Sequence, residues 1–317
     1  MALPDFLVIG APKAGSTAVH QALVLHPQLF LSDPKEPKFF LTGGRRPSRR
    51  DHRGPGDAHS RLEWVWQRER YEALFDIAPP GKLRGESTPF YLWDTAAHLR
   101  IRTLVPDVKL IAIIRDPIDR AYSNWTHLRA DGLEPEADFL TACRREPQRV
   151  AAGYAPFWRY LELGRYGEQL DHLFGVFPRE QVHVLRYRDL IDDQQASLDA
   201  MFAFLGVETG LVRSIPPSNT SGWASDGPAN AVLRRTVRTG AALGSFGAPQ
   251  LWRSAERRLV SVLKRDRGQR PSLPNEQRAV LLDNFRSDIG LLERVLGGDY
   301  SVWLSDASRG TYAVRSS

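Results

Sequence analysis

Lys13 lies inside a short glycine-flanked loop, Gly10-Ala11-Pro12-Lys13-Ala14-Gly15-Ser16-Thr17. The two glycines keep the spacing of the phosphate-binding pattern G-x-x-x-x-G-K-[ST]. Serine, however, stands where that pattern has lysine, and the lysine has moved into the loop. The displaced ammonium group would reach a different oxygen of a bound anion. An apolar run precedes the loop and an amphipathic stretch follows it, so the chain reads strand, tight turn, helix N-terminus. That arrangement aims backbone N–H groups at an anion. Pro12, Lys13, Ala14, Gly15, Ser16, Thr17 and Ala18 are therefore candidate phosphate-binding residues.

Four further segments carry side chains suited to chemistry. Lys35-Glu36-Pro37-Lys38-Phe39-Phe40 places a carboxylate between two lysines. Glu36 there reads as a general base whose ionised form is supported by its neighbours, or else as part of a surface turn anchored by the two phenylalanines. Arg115-Asp116-Pro117 follows the strongest apolar run of the chain, with Ser123 two helical turns on. Ligands of open α/β sheets bind at such strand ends, so Arg115 and Ser123 suit a second phosphate. A kinase would want a Mg²⁺-holding carboxylate at that strand end. Gly85-Glu86-Ser87-Thr88-Pro89-Phe90-Tyr91 ends another expected strand, and Ser87, Thr88 and Tyr91 could touch an acceptor or the transferring group, or equally just make a turn. Pro217-Ser218-Asn219-Thr220-Ser221-Gly222-Trp223 is a candidate lid over a nucleotide, with Asn219 and Ser221 its polar contacts.

These residues need a scaffold that brings strand ends together. Strands are expected at 6–10, 29–31, 82–86, 109–114 and 182–186. Helices are expected at 16–26, 68–77, 94–105, 117–129, 136–146, 166–177, 192–205, 229–240, 251–265 and 275–296. Continuous apolar runs such as Leu110–Ile114 are typical of buried parallel strands. Strands alternating with helices argue an α/β, P-loop-like, three-layer fold, a mostly parallel sheet flanked by helices. Across residues 1–317 a single domain is expected, since no Ser/Gly-rich linker interrupts the chain. Segments 43–61 and about 224–270 are read as its variable parts.

Composition narrows the function classes. The chain has 317 residues, 43 Lys plus Arg against 37 Asp plus Glu, and a formal net charge of +6. A modest basic excess fits an anionic ligand or acceptor, while scattered basic residues without a recognition motif argue against nucleic acid. The arginine-rich stretch at 45–53 fits an anionic acceptor or a plain solvated loop. With one cysteine, Cys143, no intrachain disulfide is possible. The dispersed histidines give no metal-ligand spacing. No apolar run approaches the length of a membrane span and no basic leader is evident, so a cytoplasmic enzyme is expected. Two phosphate sites without a metal ligand suit a nucleotide with separate 5′ and 3′ phosphates.

At this level the chain resembles the sulfotransferases that use 3′-phosphoadenosine 5′-phosphosulfate (PAPS), in the branch of the heparan-type enzymes and bacterial relatives. The likeness runs through Gly10–Thr17, Lys35–Phe40, Gly85–Tyr91, Ile114–Pro117 with Ser123, Gly164–Tyr166, Tyr187–Leu190 and Arg278–Trp303. It implies that residues 12–18 hold the 5′-phosphosulfate and that Arg115 and Ser123 hold the 3′-phosphate. It also implies that Glu36 takes the proton of an acceptor hydroxyl and that Lys38 steadies the sulfuryl oxygens, without a metal. Departures are that Lys38 and Ser87 stand where heparan-type members often carry His and Lys, and that the C-terminal disulfide and basic K-G-R closure are missing. Loop 217–223 and Arg270 could substitute for that closure. The acceptor (glycan, lipid or secondary metabolite) and the oligomeric state stay open. A P-loop nucleotide or small-molecule kinase shares the loop, and a non-catalytic nucleotide-binding protein would keep Lys13 and Arg115.

Overall fold

The structure, a computed structural model, describes residues 2–47, 64–215 and 272–305, with 232, 235–237 and 239 between them. The expectations for 48–61, for the loop with Asn219, Ser221 and Trp223, for most of helix 229–240, for helix 251–265 and for Arg270 lie outside the described residues. The chain divides into two compact units, whose described parts are 2–47, 64–115 and 165–215 in the first and 116–164, 232, 235–237, 239 and 272–305 in the second.

The first unit is built on a five-stranded sheet in the order β2-β3-β1-β4-β5, where β1 is Phe6–Gly10, β2 Leu29–Leu31, β3 Leu83–Ser87, β4 Lys109–Ile114 and β5 Val182–Arg186. Every pairing is parallel. All residues of β1 and all but the first of β4 are buried, the burial on both faces that their unbroken apolar sequences require. Its helices are α1 (Ser16–Leu25), α2 (Phe39–Thr42), α3 (Arg68–Asp76) and α4 (Thr95–Leu104). Because β1 leads to β2 on one side and neighbours β4 on the other, the loop after β1 sits where the strand order reverses, the usual crevice of an open parallel sheet. Asp94 caps α4 by accepting from the Ala96 and Ala97 amides.

The second unit starts with α5 (Pro117–Ala130), which begins as Asp116-Pro117 dictates. The Asp116 carboxylate accepts from the Ile118 and Asp119 amides at 2.9 and 3.0 Å, and Pro117 occupies the first turn, where it has no N–H to lose. The helix expected at 136–146 is instead two, α6 (Phe139–Arg144) and α7 (Glu146–Ala151), because Pro147 restarts the chain at the first turn of α7.

The remaining helices of the first unit are α8 (Tyr166–Val176), α9 (Tyr187–Asp192) and α10 (Gln194–Leu205). A separate turn, α9, thus precedes the helix expected at 192–205, and Asp193 caps α10 between them. In the second unit the expected helix 275–296 breaks into α11 (Asn275–Leu282) and α12 (Arg286–Leu296). Amide bonds of Asn284 and Phe285 to carbonyls three residues back tighten the turn, and Phe285 is driven into the core against Gly164. Arg278 of α11 is buried and reaches Asp116, Asp119 and the carbonyls of Trp303 and Ser305. No helix among the described residues is long and apolar enough to cross a membrane.

Candidate functional site

The carboxyl ends of β1, β3, β4 and β5 carry, in turn, the Gly10–Thr17 loop, Ser87, Arg115 and Tyr187. In the loop, Lys13 takes the left-handed conformation at φ 64° and Gly15 lies at φ 110°. Glycine is needed at 15 for a second reason: a Cβ there would stand 2.6 Å from the Tyr187 ring. At Gly10 a Cβ would stand 2.5 Å from that of Leu92. The loop is thus pressed between two neighbouring segments. Gly15 caps α1 without a side-chain bond, so the first-turn amides of Ser16 and Thr17 have no acceptor within the helix. Ala14 and Ala18 differ from expectation, because their amides donate to the Ala11 and Gly15 carbonyls; they shape the loop rather than offer N–H groups to an anion.

The segment after β2 folds over the end of β3. The Ser87 amide donates to the Lys35 carbonyl at 3.2 Å, and the Lys38 amide donates to the Thr88 hydroxyl at 3.3 Å. This fixes Glu36 beside α1. The Lys35 ammonium donates to Thr17 Oγ1 at 3.2 Å and lies 3.4 Å from Glu36 Oε1. The other carboxylate oxygen of Glu36 is buried and has no hydrogen-bond partner among the described residues. Lys38 also takes a left-handed conformation, at φ 59°, and its ammonium stands 5.2 Å from the centre of the Trp64 ring.

Ser87, Thr88 and Tyr91 are a correction. Of the two readings, acceptor contact gives way to the turn: all three are fully buried, with their hydroxyls committed inside the protein. Ser87 Oγ meets His20 Nδ1 at 2.9 Å. Thr88 and Tyr91 each donate to Glu86 at 2.7 Å, and Tyr71 donates to it at 3.2 Å. They form the wall beneath the site. Burial pushes the Glu86 carboxyl up to about 8, against the three hydroxyls that favour its ionised form and with help from the charge of Glu36. Burial likewise lowers His20 to about 4, Lys35 adding to the effect and Glu36 opposing it. Glu86 and His20 were missed in the sequence. Glu86 sits inside a motif already singled out, and His20 lies one helical turn beyond Ser16, on the same face.

The Arg115 guanidinium lies 5.0 Å from the centre of the Tyr187 ring, within cation–π range. Tyr187 therefore links the loop after β1 to the end of β4, as the floor under Gly15 and the partner of Arg115. Ser123 belongs to the second unit, where it is buried on α5. Among the described residues no three His, Cys, Asp or Glu side chains come together as a metal ion would require.

A helix N-terminus without a side-chain cap lies at the switch point of a parallel sheet, with an arginine at the next strand end, the place where open α/β sheets commonly receive ligands. A family model described as "Sulfotransferase family" matches residues 4–210, and the chain belongs to that family. It is 28% identical over 207 residues to human heparan sulfate glucosamine 3-O-sulfotransferase 3B1, covering 65% of this chain and 47% of the relative. To the human bifunctional heparan sulfate N-deacetylase/N-sulfotransferase 3 it is 31% identical over 211 residues, covering 65% of this chain and 22% of the relative. The chain thus spans less than half the length of either of these relatives. The crystal structure of a sulfotransferase from Alicyclobacillus acidocaldarius superposes with a TM-score of 0.72 at 26% identity, covering 96% of this chain and all of that one.

Proposed function

We propose that the protein transfers the sulfuryl group of PAPS to an acceptor hydroxyl, in line and without a metal. The observation that carries this reading is the Lys35 bridge: one ammonium group joins Thr17, in the first turn after the phosphate loop, to Glu36, whose second oxygen is buried and unpartnered among the described residues. A proton acceptor thereby stands beside an anion cradle. In this reading the amides of Ser16 and Thr17 with their hydroxyls hold the 5′-phosphate. Lys13 offsets charge growing on the bridging oxygen as the bond to sulfur breaks, an interaction made chiefly in the transition state. Arg115, steadied by Tyr187, binds the 3′-phosphate. Glu36 takes the acceptor proton, and Lys38 faces the sulfuryl oxygens. A sulfuryl group carries less charge than a phosphoryl group, so the lysines suffice in place of a divalent ion. A cytoplasmic location is part of the same reading, supported by the single cysteine.

Calorimetric titration with 3′-phosphoadenosine 5′-phosphate in the absence of metal, beside ATP with Mg²⁺, tests the proposal. Tight metal-independent binding that weakens sharply in Arg115→Ala is the expected result. A preference for Mg-ATP, or no binding, overturns it.

A further inference from the structure

Glu86 touches no surface that a substrate could reach, yet its carboxyl organises the segment carrying Glu36 and Lys38. Thr88 Oγ1 donates to Glu86 Oε2 and accepts the Lys38 amide; Tyr91 Oη donates to Glu86 Oε1 and accepts the Phe40 amide at 3.3 Å. Two hydroxyls thus act as adaptors between one carboxyl group and two backbone amides. The Lys38 amide belongs to a residue held at φ 59°, a conformation unfavourable for a non-glycine residue that persists only where its surroundings impose it.

We infer that Glu86 is a positioning residue for sulfuryl transfer, acting through Thr88 and Tyr91 on the backbone of Lys38 and Phe40. The inference rests on the proposed sulfotransferase reading for its functional half only. Its chemistry follows from the direction of the hydrogen bonds. An ionised Glu86 accepts from Thr88, Tyr91 and Tyr71 together. A protonated Glu86 must donate to one of them, and a hydroxyl that receives that proton releases its own for another partner. The charge state of Glu86 therefore sets the direction of its bonds to the hydroxyls, and the Lys38 and Phe40 amides, which only donate, feel the change through the hydroxyl oxygens that accept them. The groups that bear on that charge state are Tyr71 from α3, Thr88 and Tyr91 from the turn after β3, and Glu36 from the segment after β2. Burial holds the carboxyl protonated up to about 8, which puts this change of direction within reach of a working pH range.

The test follows the amide resonances of the full chain, labelled with ¹⁵N-lysine and ¹⁵N-phenylalanine, from neutral pH to above 8. The Lys38 and Phe40 signals should titrate together in the wild type and stay flat in Glu86→Gln. In parallel, transfer from p-nitrophenyl sulfate to bound 3′-phosphoadenosine 5′-phosphate should fall at least about tenfold in Thr88→Val, as expected for a displaced catalytic group. Thr88→Ser should recover it, with nucleotide affinity unchanged in both. Lys38 and Phe40 signals that do not move, or that still titrate in Glu86→Gln, overturn the inference, as does equal activity in Thr88→Val and Thr88→Ser. If the wild type fails to bind the nucleotide, the sulfotransferase reading falls, while the amide titration still decides the structural half.

Discussion

Two buried carboxyl groups, one in each unit, are handled in opposite ways. Glu134, in the second unit, is fully enclosed and meets a guanidinium: Arg149 reaches its two oxygens at 2.8 and 2.9 Å, and the Tyr160 hydroxyl adds a third bond at 2.5 Å. Glu86, in the first unit, is equally enclosed but meets only hydroxyls. The second unit matches its enclosed Glu134 with a guanidinium. Near the loop after β1, two titratable groups are instead held neutral: Glu86 is raised to about 8 and His20 lowered to about 4. Beside the silenced Glu86 and His20 stand the ion pair of Lys35 and Glu36 and the Lys38 ammonium against Trp64. Matched pairs hold a fold in one geometry, whereas sparse charges leave a field for a ligand to answer.

Breaking the matched pair should have the largest effect. Arg149→Met leaves Glu134 buried without its cation, and the loss should reach about 3–5 kcal/mol, read from urea unfolding at neutral pH. The neutral carboxyl is exposed by pH rather than by deletion. Between its unfolded value of 4.5 and its native value of about 8, native Glu86 holds a proton that the unfolded chain has released. Stability must therefore fall as pH rises through that window. From 4 to 6.5, His20 and His98, both lowered to about 4, give the opposite slope, since there the unfolded chain binds the protons. The range 6.5–8 brings out the Glu86 slope, to which Asp94 and Glu146, also raised by burial, add in the same direction. Over it, wild-type stability should drop by on the order of 2 kcal/mol, and Glu86→Gln should flatten the curve.

Tyr91→Phe sharpens the contrast further. It removes the shorter of two hydroxyl bonds to Glu86 Oε1 and should cost about 1–2 kcal/mol. Because that bond holds the carboxyl down, its loss should also move the Glu86 titration to higher pH. Tyr71→Phe, with the longer contact, should do less on both counts. The smallest effect belongs to His20→Gln, which should lessen the loss of stability as pH falls from 6.5 towards 4 while leaving the curve above 6.5 unchanged.

Much of the scaffold was legible because its signals are local. The apolar runs of β1 and β4, the Asp116-Pro117 helix start and the glycine spacing of the loop all act within a few residues, and each stands where the sequence put it. The breaks were less legible. The chain stops at 283–285 to bury Phe285 against Gly164, a demand made by a residue more than a hundred positions away. The candidate site divides in the same manner. Lys35, Glu36 and Thr17 could be named from short motifs, but their common ammonium bridge could not. Nor could Ser87, Thr88 and Tyr91 be told apart from substrate-facing hydroxyls, because their partners come from α1, α3 and their own turn. The link from Gly15 through Tyr187 to Arg115 spans three strand ends and leaves no mark in any one of them.

Arg278 fixes where this protein can be shortened or fused. Its buried guanidinium depends on the carbonyls of Trp303 and Ser305 as well as on Asp116 and Asp119. A deletion ending before residue 303 would strip two acceptors from an enclosed cation and loosen the carboxylate that starts α5. The last described turn is thus the keystone of a helix begun far earlier in the chain, and a tag or partner domain belongs beyond Ser305 rather than in its place.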